Sequence, residues 1–145
     1  MRRLPYFILA IGILVFTSCD PTDQYSISYK INGNPWYAGS AACYYSGGKM
    51  NVNAISTNQS QFVTAFQFDT ETPGTYPIDH ITNFFSYGDT ATGYYAQASN
   101  PATLTVTEFN TADKKFAGTF SGKLYNYGKT DSVLITEGKF NLHYQ

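Results

Sequence analysis

From residue 25 to the end of the chain, apolar side chains recur at every second position in short runs. Turn-forming residues interrupt the runs every eight to twelve positions. A period of two is that of a half-buried strand, and no stretch keeps the 3.6-residue period of a helix. Tyr25, Ile27, Tyr29 and Ile31 share one face, with Ser26, Ser28 and Lys30 on the other, and Asn32-Gly33-Asn34 supplies the positive φ angles of a tight hairpin turn. A second strand follows over Trp36–Tyr45, then a turn at Ser46-Gly47-Gly48-Lys49. Met50, Val52 and Ala54 mark a third strand, and Phe62, Phe66 and Phe68 a fourth.

Asp69–Thr75 reads as a loop and Tyr76–Ile78 as a short strand. Phe84–Tyr87 and Gly93–Gln97 read as strands around a Gly88-Asp89-Thr90 turn. Beyond Asn100-Pro101 the alternation is sharper. Leu104 and Val106 alternate with threonines, Asn110–Lys115 turns the chain, Phe116, Phe120 and Leu124 share a face, and Asn126–Asp131 turns it again. In the last strand Val133 and Ile135 are apolar at odd positions, but Phe140, Leu142 and Tyr144 at even ones. A strand with one buried face changes parity only by inserting a residue, so a β-bulge is predicted at Glu137-Gly138.

These elements predict an all-β fold, an antiparallel meander of about nine strands that curls into a closed or partly open barrel. A two-sheet β-sandwich is the alternative. The doublets Tyr44-Tyr45, Phe84-Phe85 and Tyr94-Tyr95 put one ring on each face of an extended strand. One ring of each is then core, and the place of the other is left open.

The first twenty residues follow a different pattern. Arg2 and Arg3 precede an apolar run from Leu4 to Phe16, and Thr17-Ser18 lead into Cys19. The run is shorter than the roughly 20 residues that span a bilayer, and it is built like a secretory signal. Phe16-Thr17-Ser18-Cys19 resembles a lipobox in the looser form of Bacteroidota lipoproteins. That resemblance implies a signal peptide over 1–18, cleavage before Cys19 and fatty acylation of its sulfur (a palmitate-type anchor). Residues 19–24 are then a lipidated tether and 25–145 a single domain. Asp20 and Asp23 in the tether lean toward surface export.

Removing the signal changes the charge picture. Both arginines go, leaving seven lysines against ten acids and a net charge of −3. An acidic surface without arginine argues against nucleic acid and against two-pronged grip on phosphates. With Cys19 acylated, Cys43 has no intramolecular partner and no neighbouring base or cation, so it reads as a buried, inert thiol. Twelve Tyr, nine Phe and one Trp remain beyond the signal, and they supply most of the core.

Ordered segments carry a wider resemblance. They are Ile31-Asn32-Gly33-Asn34-Pro35-Trp36-Tyr37-Ala38, Gly74-Thr75-Tyr76-Pro77-Ile78, Ala117-Gly118-Thr119-Phe120-Ser121-Gly122 and Val133-Leu134-Ile135-Thr136-Glu137-Gly138-Lys139-Phe140. Together, over most of 25–142, they resemble a family of uncharacterised Bacteroidota cell-envelope lipoproteins. The resemblance implies an all-β lipoprotein of the envelope, and it carries over no catalytic residue.

Candidate chemistry is sparse. His80 and His143 belong to no metal-binding spacing, no Gly-x-Ser-x-Gly string exists, and Asp69, Glu71, Glu108 and Glu137 read as turn and strand-surface charges. No metal, cofactor or catalytic residue is expected. The leading reading is a non-catalytic, lipid-anchored interaction or accessory protein of the cell envelope, held in the outer membrane through Cys19. Its partner is a protein or glycan, and no nucleic acid is involved. The alternative is a module for a glycan or small apolar ligand, stacking it on Trp36, Tyr44 or Tyr45, and Tyr94 or Tyr95; Trp36 follows a hairpin turn and has a second reading as a plug for one end of the barrel.

Overall fold

The computed structural model describes residues 26–56, 63–69, 71–88 and 92–145. The signal peptide, Cys19, the tether, Tyr25, Phe62 and the Asp89-Thr90 part of a predicted turn lie outside them. The described residues form ten strands and no helix. They are β1 (Ser26–Ile31), β2 (Asn34–Ser46), β3 (Lys49–Ser56), β4 (Val63–Phe68), β5 (Gly74–Ile78), β6 (Phe84–Gly88), β7 (Gly93–Tyr95), β8 (Ala102–Asn110), β9 (Lys115–Asn126) and β10 (Ser132–His143). All pairings are antiparallel.

The order β10-β1-β2-β3-β4-β6-β7-β9 closes on itself through β9–β10, which makes an eight-stranded barrel. β8 pairs with the first half of β9 and β5 pairs with β8, so β5 leaves the meander that its position in the chain suggested. β9 thus shares one edge between two neighbours: Lys115–Ser121 faces β8, and Tyr125 and Asn126 face β7.

The outer edge of β5 is protected rather than open. Pro77 lacks an N–H there, and its carbonyl accepts from the buried side chain of Asn83 at 2.9 Å, whose Oδ1 accepts the Asp69 amide at 2.9 Å. One amide side chain therefore ties the ends of β4, β5 and β6 together.

The predicted bulge is present. Ile135 and Gly138 oppose Gly122 and Phe120, and Lys30 and Ser28 oppose Thr136 and Lys139, so β10 carries one extra residue against both neighbours. The two faces then sort as the parity change requires, with Val133, Ile135, Phe140, Leu142 and Tyr144 all buried. Two residues divide its chemistry. The left-handed residue is Glu137 (φ 53), not Gly138. Gly138 is required for space: a Cβ there would lie 2.3 Å from the Phe120 carbonyl oxygen. Gly118 plays the same part, with a Cβ position 2.2 Å from the Thr105 oxygen.

An eight-stranded barrel has an interior just wide enough for side chains to fill, and here rings fill it. Phe66 stacks on Phe85 at 4.7 Å. Phe120 meets Phe66 edge-on at 4.8 Å, and Phe116 packs on Phe140 at 4.7 Å. One end is plugged by Tyr45, Phe109 and Tyr144 and stitched by paired backbone bonds between Cys43 or Tyr45 and Gln145. Toward the other end lie Tyr29, Trp36, Tyr87 and Tyr94. The Tyr29 hydroxyl bonds that of the buried Thr64, and burial pushes its pKa up. Cys43 is buried against the Met50 sulfur at 3.2 Å, and desolvation pushes its thiol up to about 12.

Candidate functional site

With the lumen occupied by rings, a binding surface has to be sought on the outside. The long wall made by β8, β9, β10 and β1 is polar. Thr75, Thr105, Thr119, Lys139 and Ser28 lie in register across five strands, and the depressions between them are shallow and lined by hydroxyls. Glu137 and Glu108 on this side pair with Lys30 at 2.7 Å and Lys115 at 3.1 Å. Such exposed pairs add little stability.

The short wall differs. β7 is only three residues long, and beside it opens a cleft of about 760 Å³ lined by His80, Tyr95, Gln97, Asn126, Tyr127 and Lys129, among others. That volume is within the usual range for ligand sites. Three segments build it. The first is β7, where Tyr95 points out of the barrel opposite Ser86 and Tyr125. Its ring folds back over Gly93, where a Cβ would lie 2.5 Å from the Tyr95 hydroxyl. It sits 5.2 Å from the His80 ring and 6.0 Å from Phe84, and His80 lies 5.1 Å from Phe84.

The second segment is the loop after β5. Asp79 Oδ1 accepts the amides of Ile81 at 2.9 Å and Thr82 at 2.8 Å, and these bonds hold its carboxyl below the ordinary range. The turn places His80 in the left-handed region (φ 70) and leaves Ile81 78 % exposed.

The third is the turn between β9 and β10. Asn126 Oδ1 accepts the amides of Thr130 and Asp131 at 2.9 and 3.1 Å, and its Nδ2 donates to the Thr130 hydroxyl at 3.0 Å. The Tyr94 hydroxyl donates to Asp131 at 2.8 Å, which fastens the turn to β7 and holds the Asp131 carboxyl below the ordinary range. On this braced turn Tyr127 stands 97 % exposed, a large ring held in water by a built framework. Lys129 follows it at φ 55.

The five aromatics singled out in the sequence separate. Trp36 is only 5 % exposed and stacks on Tyr29 at 4.5 Å, so it offers no free face, and its indole N–H finds no acceptor among the described residues. It belongs to the core because its strand position pairs with Tyr29 on the inner face. Tyr45 is part of the end plug, and Tyr94 is turned against Tyr87. Tyr44 is 44 % exposed but sits on β2, across the barrel from β7, with three strands between them by either route. Tyr95 alone reaches the cleft. Each doublet does split between faces, with Tyr45, Phe85 and Tyr94 inward. Sequence reasoning passed over Tyr127, and it weighed His80 only for metal and catalytic chemistry. The signal for Tyr127 was an aromatic inside the polar turn Asn126–Asp131.

Asp69 and Glu71 are exposed and apart from the cleft lining. Among the described residues, no three of His, Cys, Asp and Glu gather where a metal could sit, and no helix is long and apolar enough to cross a membrane.

Residues 23–142 match the family described as a domain of unknown function, DUF6252. No curated protein and no solved structure matches the chain. The chain belongs to the DUF6252 family, whose domain is the barrel with its β5–β8 extension.

Proposed function

We propose that this DUF6252 chain is a lipid-anchored recognition protein of the cell envelope, moored in the outer membrane through Cys19 and without catalytic activity of its own. The signal-like segment before Cys19 supports the mooring.

One geometric observation carries the reading: where β1 begins. Ser26 pairs with Asn141 near the end of β10, so the chain enters the barrel at the end formed by the Ser46–Lys49 and Asn110–Lys115 turns and the C-terminus. From Cys19 to Ser26 an extended chain reaches at most about 25 Å. Strands of twelve residues, tilted as in an eight-stranded barrel, give a height of roughly 30 Å. The tether is too short to invert the barrel. The end carrying the Asn126–Asp131 turn therefore points away from the bilayer, and the cleft beside it is presented to whatever lies beyond.

The groups present in the cleft support recognition rather than catalysis. His80 contacts rings, and the Asp79 and Asp131 carboxylates are occupied by hydrogen bonds. No described pair of acid and base faces a common point in the cleft. Intact-mass spectrometry of the protein from its membrane tests the anchor. The expected mature chain begins at Cys19 and carries added acyl mass; a chain beginning elsewhere, or an unmodified Cys19, overturns it.

A further inference from the structure

We infer that the cleft beside β7 is a saccharide site, and that Lys129 makes it select chains bearing an acidic group. The inference rests on the reading of the chain as an outward-facing recognition domain and names its ligand class. Sugar rings present apolar C–H faces edged with hydroxyls, and they are held by an aromatic face together with a few hydrogen-bonding groups. The cleft has both. Tyr95 is fixed as a platform by Gly93, His80 and Phe84, and Tyr127 stands free on a turn whose backbone is braced by Asn126. Gln97 brings an amide and Thr92 a hydroxyl to the same lining.

An apolar ligand is the poorer fit. The two rings come from separate segments with polar side chains around them, and among the described residues the lumen is occupied by packed rings. The charge decides the rest. Among the described residues of the lining there is a lysine and a histidine but no carboxylate. Two described acids that neighbour lining residues in sequence are turned to other partners, Asp79 to its own loop amides and Asp131 to Tyr94 and Ser132. Lys129 is thus a cation without a described counter-ion at the mouth of an aromatic cleft, on a chain whose mature net charge is negative. A uronic-acid carboxylate or a sulfate on the sugar would supply the missing charge.

The test is calorimetric titration of the full-length acylated protein in detergent micelles, using linear oligosaccharides matched in length, one set neutral and one containing uronic acids. The expected result is binding of the acidic set about tenfold more tightly than the neutral set. Lys129→Asn, which tolerates the left-handed backbone, should erase that gap. Tyr127→Ala should weaken both sets about fivefold with the melting temperature unchanged.

Equal affinity for the two sets overturns the charge selection. No binding of either set at millimolar concentration, or binding indifferent to both Tyr127→Ala and Tyr95→Ala, overturns the site. An unmodified Cys19 in a protein that still binds the acidic set would sink the anchoring reading alone.

Discussion

The long wall and the short wall of this barrel use the same strand physics for opposite ends. Along β8, β9, β10 and β1 the ladders are long, the inner rings interlock, and the outer face is a field of hydroxyls and exposed ion pairs. Around β6 and β7 the ladder shrinks to two or three residue pairs, and rings appear on the outside as well as the inside. Where backbone pairing is plentiful, side chains are free to be merely soluble. Where it is scarce, side-chain bonds hold the fold: Asn83 ties three strand ends, and Tyr94 and Asp131 fasten β7 to a turn. Those bonds also fix the cleft. Long backbone ladders are thus concentrated on one side, and the cleft proposed for recognition on the other.

The largest effect that would sharpen this contrast is in the rings of the long wall. Phe120 touches Tyr29, Phe66, Phe85 and Phe140, so Phe120→Ala should cost about 4 kcal/mol in urea unfolding. A loss under about 1 kcal/mol would mean that the interior is loosely packed.

The bulge gives the next. Gly138→Ala drives a Cβ into the Phe120 backbone and should cost about 2–3 kcal/mol. Glu137→Gly relieves a left-handed side chain and should raise stability by about 0.5–1 kcal/mol, because the exposed Lys30 ion pair that it loses is worth little. If both substitutions destabilise equally, the assignment of roles within the bulge is wrong.

On the short wall, Asn83→Ala removes two buried hydrogen bonds and should cost about 2 kcal/mol, with hydrogen exchange rising in β5 and β6 but not in β9 or β10. Uniform acceleration everywhere would show that the two walls do not differ in local stability.

The smallest effect is in pH. The carboxyl of Asp79 is depressed by loop amides, so the stability that it lends is present above the ordinary carboxylate range and is lost as pH falls through its lowered value. Acidification should loosen the amides of Ile81 and Thr82 in the wild type, and Asp79→Ala should abolish that response in hydrogen exchange.

Much of the long wall was legible in the sequence. Alternation from Leu104 onward gave each strand its inner face, and the parity change between Ile135 and Phe140 located a bulge that the ladders contain. The division of roles within it was not legible: Glu137 takes the positive φ, and Gly138 allows the close approach of another backbone. The pairing of β5 with β8 was not legible. A five-residue strand says which face is buried, not which of several edges it joins.

The cleft was legible only through Tyr95. Its other walls come from a loop and a turn distant in sequence, and the lone tryptophan drew attention to the core instead. A single Trp looks like a binding residue in a strand list, yet its neighbour across the ladder, Tyr29, covers its face.

The central claim is that a short acyl tether stands the barrel on end, with the short-wall cleft outward. Single-cysteine fluorophore labels test it directly in liposomes. One is placed by Ala112→Cys at the tethered end and one by Tyr127→Cys beside the cleft, the buried Cys43 thiol staying unlabelled. The account predicts strong quenching at 112 by headgroup spin labels and little at 127. Stronger quenching at 127 than at 112 would contradict it.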